Sequence, residues 1–475
     1  GPEYRLADEW LKRPAPDNDA IVEQLNELPE LTDLPPAVVL EYKPDAIKLL
    51  SASGLIDLPK SAFAWANIPP KKPLVRGDIV RIKRVGESWK LSQVPQAQGA
   101  FVAVDPHDGA ILALAGGYDF FLNKFNHVIQ ARRQVGSGFK PYLYCAAMAY
   151  GFTPASVFLD APVVFDDPNL EQVWKPENYD RDYNGPMRLR EALVQSRNLV
   201  SIRVLQAIGL DYAREYVTRF GLPQDRLPRD LTMALGTAVF TPLEMARGYA
   251  TIANGGFLVE PYFIDEIRDA GGAVLFKADP KVACPECIEQ NLQQAEDAAA
   301  TQPPAEPAPP PVPPEKQAAR TVDPQIVWLI TSMMHDVTVR GTGAAVNALG
   351  RTDLAGKTGT TNDETDAWFN GFQKGIVGIS WVGFDQPTPL GKGEVGGRAS
   401  LPIWMDFMKS ALKNVPQETL PRPPGLVDVR INPKTGKLAL PDAPAIFETV
   451  QQDRVPETDN GHEEEQEKSG VEDLY

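Results

Sequence analysis

A serine and a lysine three residues apart, Ser137 and Lys140 in Gly136-Ser137-Gly138-Phe139-Lys140-Pro141, are the pair in this sequence best suited to making and breaking a covalent bond. A hydroxyl is a poor nucleophile until a base takes its proton. A lysine can be that base only where burial or a neighbouring cation lowers its pKa. The residues that follow supply the burial. Phe139, Leu143, Ala146 and Ala147 recur at helical spacing, Pro141 suits a first turn, and Gly151 with Pro154 marks the stop. Positions three apart share a helix face, so the spacing predicts that hydroxyl and amine meet. The pair alone says little, because Ser410 and Lys413 repeat it. Order along the chain separates them: only Ser137 is followed by Ser196-Arg197-Asn198 and then Lys357-Thr358-Gly359-Thr360. A second Lys-Thr-Gly, Lys434 to Gly436, follows Asn432-Pro433 and reads as a turn.

The ordered set S-x-x-K, S-x-N, K-T-G is the signature of acyl-serine enzymes that react with penicillin. The stretches RQVGSGFKP (133–141), QSRNLV (195–200) and AGKTGTTND (355–363) resemble the class A penicillin-binding proteins. So do FTPLEMARGYATIANGGFLVEP (240–261), VACPEC (282–287) and WVGFDQP (381–387), and the resemblance runs over nearly the whole chain. Two departures stand out: Gly138 where the family often has Ser, and Arg197 where it often has Lys. Arginine keeps the charge but cannot serve as a base.

The resemblance implies a peptidoglycan D,D-transpeptidase that is also acylated by β-lactams. Ser137 is then the nucleophile and Lys140 the base for acylation. Ser196 relays a proton to or from the leaving amine, and the Asn198 amide holds a substrate carbonyl. Lys357 adds a second cation that keeps Lys140 neutral, while Thr358 and Thr360 bind the substrate carboxylate. Gly359 lets a peptide lie against its strand as an added one. The N–H groups of Ser137 and Thr360 form the oxyanion hole. No metal or cofactor is expected. The rival readings are a β-lactamase or D,D-carboxypeptidase, which needs a water-activating base that cannot be identified, and a penicillin-binding sensor or scaffold without turnover. A chymotrypsin-like mechanism is disfavoured, since His107, His127, His335 and His462 fall in a turn, a loop, a helix and an acidic tail.

Several elements must position these groups. The chain has 475 residues, 43% of them hydrophobic, enough for more than one domain. The fold class expected is α+β: the penicillin-binding transpeptidase fold, an antiparallel sheet flanked by helices, with a small all-β OB-like domain. Residues 1–34 read as a linker segment with an acidic helix from Asp17 to Leu28. Alternating strands over 35–98, around Val38 to Tyr42, Asp78 to Lys83 and Trp89 to Leu91, read as the OB-like domain. The transpeptidase domain spans 99–420, opening on a hairpin from Ala100 to Ala115. Tyr118 to Arg133 reads as a loop, and the polar and aromatic stretch from Pro154 to Pro186 as a loop over the cleft. Within 290–320, eight prolines from Pro303 to Pro314 mark a mobile extended insertion, with order resuming at Pro324 in a helix to Met334. Lys357 to Thr360 reads as a strand beside the nucleophile. Residues 421–475 form a tail module of strands with an acidic, disordered end; from Pro456 to Tyr475 it carries eight acids and one lysine.

A net charge of −16 argues against nucleic acid or anionic lipid as a partner, despite the OB-like reading. Stem peptides ending in D-Ala-D-Ala and β-lactam antibiotics are the partners implied. The OB-like domain is a spacer or a docking site for a regulatory protein, such as an outer-membrane lipoprotein activator. No apolar run is long enough to span a bilayer. The family's membrane anchor and glycosyltransferase domain would precede residue 1, making this the periplasmic portion of a protein anchored in the inner membrane. Cys284-Pro285-Glu286-Cys287 admits zinc, redox chemistry or a disulfide, and the oxidising periplasm favours the disulfide.

Overall fold

The computed structural model describes residues 4–5, 18–28, 31, 33–163, 174–287 and 312–460. The chain divides into two units, residues 1–96 with 118–124, and residues 97–117 with 125–475.

The first unit is built on a six-stranded antiparallel sheet. Strand Asp78–Val85 pairs with Tyr4–Arg5, Pro36–Lys43 and Ser88–Ser92, and the path continues from Pro36–Lys43 through Ala46–Ser51 to Gly54–Pro59. Alternation sorts its side chains. Val39, Ile47, Leu49 and Ile82 fill one core, while Val38, Leu50 and Ile79 turn to the other face. Helix Asn18–Asn26 covers that second face with Ile21 and Leu25. The stretch read as a linker therefore belongs to this unit: it supplies both an edge strand and a packed helix. Strands Ala46–Ser51 and Gly54–Pro59 lie between those expected.

The second unit holds a five-stranded antiparallel sheet in the order Ala355–Thr360, Asp366–Gln373, Ile376–Gly383, Gln98–Val104, Ile111–Ala115. Both faces are covered. Along Gln98–Val104, Ala100, Val102 and Val104 join the core that contains the helices Lys140–Tyr150, Asn198–Ile208, Pro242–Ala253 and Pro324–Arg340. Phe101 and Ala103 face the opposite way, toward Leu401 and Trp404 of helix Leu401–Ala411. Strand Ala355–Thr360 is left at an edge, with one side unpaired.

Smaller differences from the expected outline have local causes. The loop read from Tyr118 to Arg133 contains a helical turn, His127–Gln130, started by the Asn126 side chain accepting from Val128 N at 3.0 Å. The helix opening at Pro324 runs past Met334 to Arg340. Order resumes before Pro324, because Val282 bridges to Gln317 and Ala318 is buried. The proline-rich residues 288–311 and the acidic residues 461–475 lie outside the described residues. Cys284 and Cys287 form a disulfide, and Cys145 is buried in the core on helix Lys140–Tyr150. The tail strands Leu426–Ile431 and Ile446–Gln451 pair as a hairpin fastened to this unit through Glu448, whose carboxylate accepts from Arg188 at 2.9 Å and Arg190 at 2.7 Å.

Candidate active site

The turn Gly136–Phe139 carries Ser137 directly into the buried helix Lys140–Tyr150. Pro141 stands in the first helical turn, where its missing N–H is not needed. The turn lies against the edge strand. A Cβ built on Gly359 would stand 2.6 Å from Val135 O, 2.9 Å from Trp368 Cβ and 3.2 Å from Gly138 N. The turn that carries Ser137 thus requires a glycine at 359, a demand separate from the room that residue was expected to give a peptide. The free edge of the strand remains the place where a peptide can add.

Ser196 sits between helices Leu189–Val194 and Asn198–Ile208 with φ of +58°. Arg197 N donates to Ala192 O at 2.9 Å and Ser196 N to Leu193 O at 3.1 Å, so a serine occupies the left-handed helix-ending position that usually takes glycine. That conformation costs an L-residue about 1–2 kcal/mol. What it gains is contact: Ser196 Oγ lies 2.9 Å from Lys357 Nζ and 3.4 Å from Lys140 Nζ. Ser196→Gly is expected to leave stability within about 1 kcal/mol and to slow β-lactam acylation about a hundredfold. Urea unfolding beside a stopped-flow acylation assay checks both, and acylation at the native rate would remove Ser196 from the chemistry.

Lys140 is fully buried, and its Nζ donates to Ser196 O at 2.6 Å and Asn198 Oδ1 at 2.8 Å. Burial first, then the charges of Lys357 and Arg197, hold its pKa well below the usual lysine value, against the opposing pull of Asp160. An uncharged amine has two N–H groups and one lone pair. In that form the two carbonyl acceptors take the N–H groups, and the lone pair is the part of the amine that could take a proton. The direct contact with Ser137 expected from the spacing is not formed, since among the described residues Ser137 Oγ has no hydrogen-bond partner while the two carbonyls hold the amine. Catalytic hydrogen bonds of resting sites commonly close only with substrate in place. Lys357, also fully buried, is brought down to about 7 by desolvation.

Thr358 and Thr360 line a cleft of about 800 Å³ with Ser137, Ser196 and Asn198. Thr358 Oγ1 is 2.6 Å from Thr342 Oγ1, and Thr360 Oγ1 accepts from Gly396 N at 3.0 Å. The loop read as covering the cleft does line it, through Trp174 to Arg181. Tyr179 reaches across to donate to Glu364 Oε1 at 2.6 Å.

Other residues that hold this geometry gave no signal in the sequence. Asp160, fully buried, accepts from Arg197 Nε at 2.8 Å and Asn178 Nδ2 at 2.7 Å. Asn178 Oδ1 accepts from Asn198 N at 2.9 Å and so caps the helix that Asn198 begins. Arg197 also bonds Asp180 at 2.7 Å, tying the S-x-N break to the cleft loop. These are isolated polar residues with no motif spacing. Only the fold brings them together.

A serine–lysine turn packed on the edge strand of a helix-covered antiparallel sheet is the arrangement expected of an acyl-serine enzyme. Residues 99–385 match the penicillin-binding protein transpeptidase domain and residues 1–97 the penicillin-binding protein OB-like domain, and the chain belongs to this family. Among its relatives, penicillin-binding protein 1A of Pseudomonas aeruginosa is 40% identical over 97% of this chain, and that of Escherichia coli 38% over 89%. The chain spans 59% and 57% of the lengths of these two. The crystal structure of penicillin-binding protein 1A from Haemophilus influenzae matches 97% of this chain and 68% of its own, with a TM-score of 0.84 and 34% identity.

Proposed function

We propose that this chain is a peptidoglycan D,D-transpeptidase acylated by β-lactams, with Ser137 as nucleophile. The observation that carries the reading is the fully buried Lys140 amine, held on two carbonyl acceptors beside a second buried lysine. Ser137 Oγ attacks the carbonyl carbon of the D-Ala-D-Ala amide and its proton passes to Lys140 Nζ. The N–H groups of Ser137 and Thr360 take the developing oxyanion. The C–N bond then breaks, with a proton delivered through Ser196 Oγ to the departing D-Ala amine. The amine of a second stem peptide attacks the ester carbonyl carbon and gives up a proton to Lys140 Nζ; the C–O bond to Ser137 breaks as the cross-link forms, and that proton passes to Ser137 Oγ. The terminal carboxylate lies on the Thr358 and Thr360 hydroxyls near Lys357, and Asn198 holds the stem-peptide amide.

Kinship with longer class A relatives supports the cellular setting: the periplasmic part of a protein anchored in the inner membrane. In that setting a glycosyltransferase domain occupies the remaining length, and an outer-membrane lipoprotein activator docks at the OB-like domain. Among the described residues no helix is long and apolar enough to cross a membrane.

Intact-mass measurement after incubation with a β-lactam tests the chemistry. A single adduct, stable for hours and lost in Ser137→Ala, is the expected result. An adduct that disappears within seconds as the drug is consumed would make the protein a hydrolase, and an adduct that survives Ser137→Ala would overturn the assignment.

A further inference from the structure

Asn370 is fully buried on strand Asp366–Gln373, and among the described residues neither its Nδ2 nor its Oδ1 completes a hydrogen bond. A buried amide with an unmet donor and acceptor costs about 1–3 kcal/mol for each group, so its retention calls for a reason. Its neighbours supply one. In the register of the sheet Asn370 stands directly opposite Lys357, so the two side chains leave the same face of the sheet. A Cβ built on Gly138, the residue after the nucleophile, would stand 2.5 Å from Asn370 Nδ2. Tyr249, also fully buried, donates its hydroxyl to Gly138 O at 2.9 Å, and the Asn370 amide approaches that hydroxyl without reaching hydrogen-bond geometry.

We infer that Asn370 is a positioning residue for the nucleophile, its amide filling from the strand the space that a side chain at position 138 would otherwise fill from the turn. The inference rests on the reading of Ser137 as the nucleophile. Gly138 and Asn370 then form a matched pair. The glycine admits the amide, and the amide, together with Tyr249, sets how far the turn settles toward the strand and hence where Ser137 Oγ and its N–H stand. A displacement of about 1 Å in such a group costs roughly a hundredfold in rate. The amide is also a neutral dipole beside the Lys357 cation, at a position where a carboxylate would stabilise the charged lysine.

A double-mutant cycle with β-lactam acylation as the readout tests this. Asn370→Ala is expected to slow acylation about tenfold to a hundredfold, and Gly138→Ser by a similar factor. The combination Gly138→Ser with Asn370→Ala should recover most of the native rate, because the serine side chain then refills the space. Asn370→Asp supplies a readout that a purely structural role would not move: the alkaline limb of the acylation profile should shift to higher pH as the carboxylate holds Lys357 protonated. Native rates in Asn370→Ala, or a double variant as slow as the product of the singles, would overturn the pairing. If the unsubstituted protein forms no adduct, or Ser137→Ala still does, the failure lies with the nucleophile assignment instead.

Discussion

Replacing Lys140 by arginine should slow acylation of Ser137 by a β-lactam about a hundredfold to ten-thousandfold, the usual worth of a positioned general base. Arginine can still donate to Ser196 O and Asn198 Oδ1, but it stays charged and does not give up its proton, so it cannot serve as the base. Lys140→Met, which keeps the apolar stem without the base, should fall as far. If either folded variant keeps more than a tenth of the native rate, Lys140 is not the base. The native pH profile carries the matching signature. The base must be uncharged, so the rate should rise as pH rises through the depressed Lys140 pKa. It should then fall above about 7, where Lys357 loses the proton that lets it attract a substrate carboxylate. Lys357→Met should abolish that alkaline limb. A limb that persists there would assign it to another group.

Replacing Glu448 by alanine should cost about 3–5 kcal/mol of stability, the penalty for stranding buried charges. The side chains of Arg188 and Arg190 are only 8% and 10% exposed and that of Glu448 2%. Each arginine retains one other anion, Glu191 for Arg188 and Asp336 for Arg190, which places the loss toward the lower end of that range. The tail hairpin would lose its fastening to the strand and helix that lead into Ser196. Urea unfolding with a tail-hairpin fluorescence probe should show the hairpin melting at lower denaturant, and a change below about 1 kcal/mol, the level of an exposed pair, would show that the pair is not buried in solution.

The site was legible in the sequence wherever chemistry depends on local spacing. Ser137 with Lys140, Ser196 with Asn198, and Lys357 with Thr358 and Thr360 each lie within one turn or one strand, and their order distinguishes them from Ser410 and from Lys434. The supporting residues were not legible. Asp160 lies 37 positions from Arg197 and Tyr249 111 from Gly138, and nothing marks Asp160 or Tyr249 until folding joins them to those motif positions. Spacing left two contacts unseen: the two carbonyls that hold the Lys140 amine, and the turn carrying Ser137 that packs against Gly359. In the first unit, the short strands Ala46–Ser51 and Gly54–Pro59 were missed, and the acidic helix expected within a linker proves to pack on the sheet. Helix Asn18–Asn26 buries only Ile21 and Leu25 there, too narrow a face to show what it covers.

The contact of the Ser137 turn with Gly359 bears on how such a site can change over generations. Backbone lies on backbone there, so any substitution that adds a side chain at Gly359 collides with Val135 or Trp368. This seam has almost no neutral variants to explore. The rim at Trp174 to Arg181 and at Asn362 to Glu364 borders the same cleft through loops and exposed side chains, where most replacements leave the seam untouched. Inherited drift in drug susceptibility or in acceptor choice is therefore expected to be written on the rim, while the serine, its lysines and the glycine behind them pass unchanged from one descendant to the next.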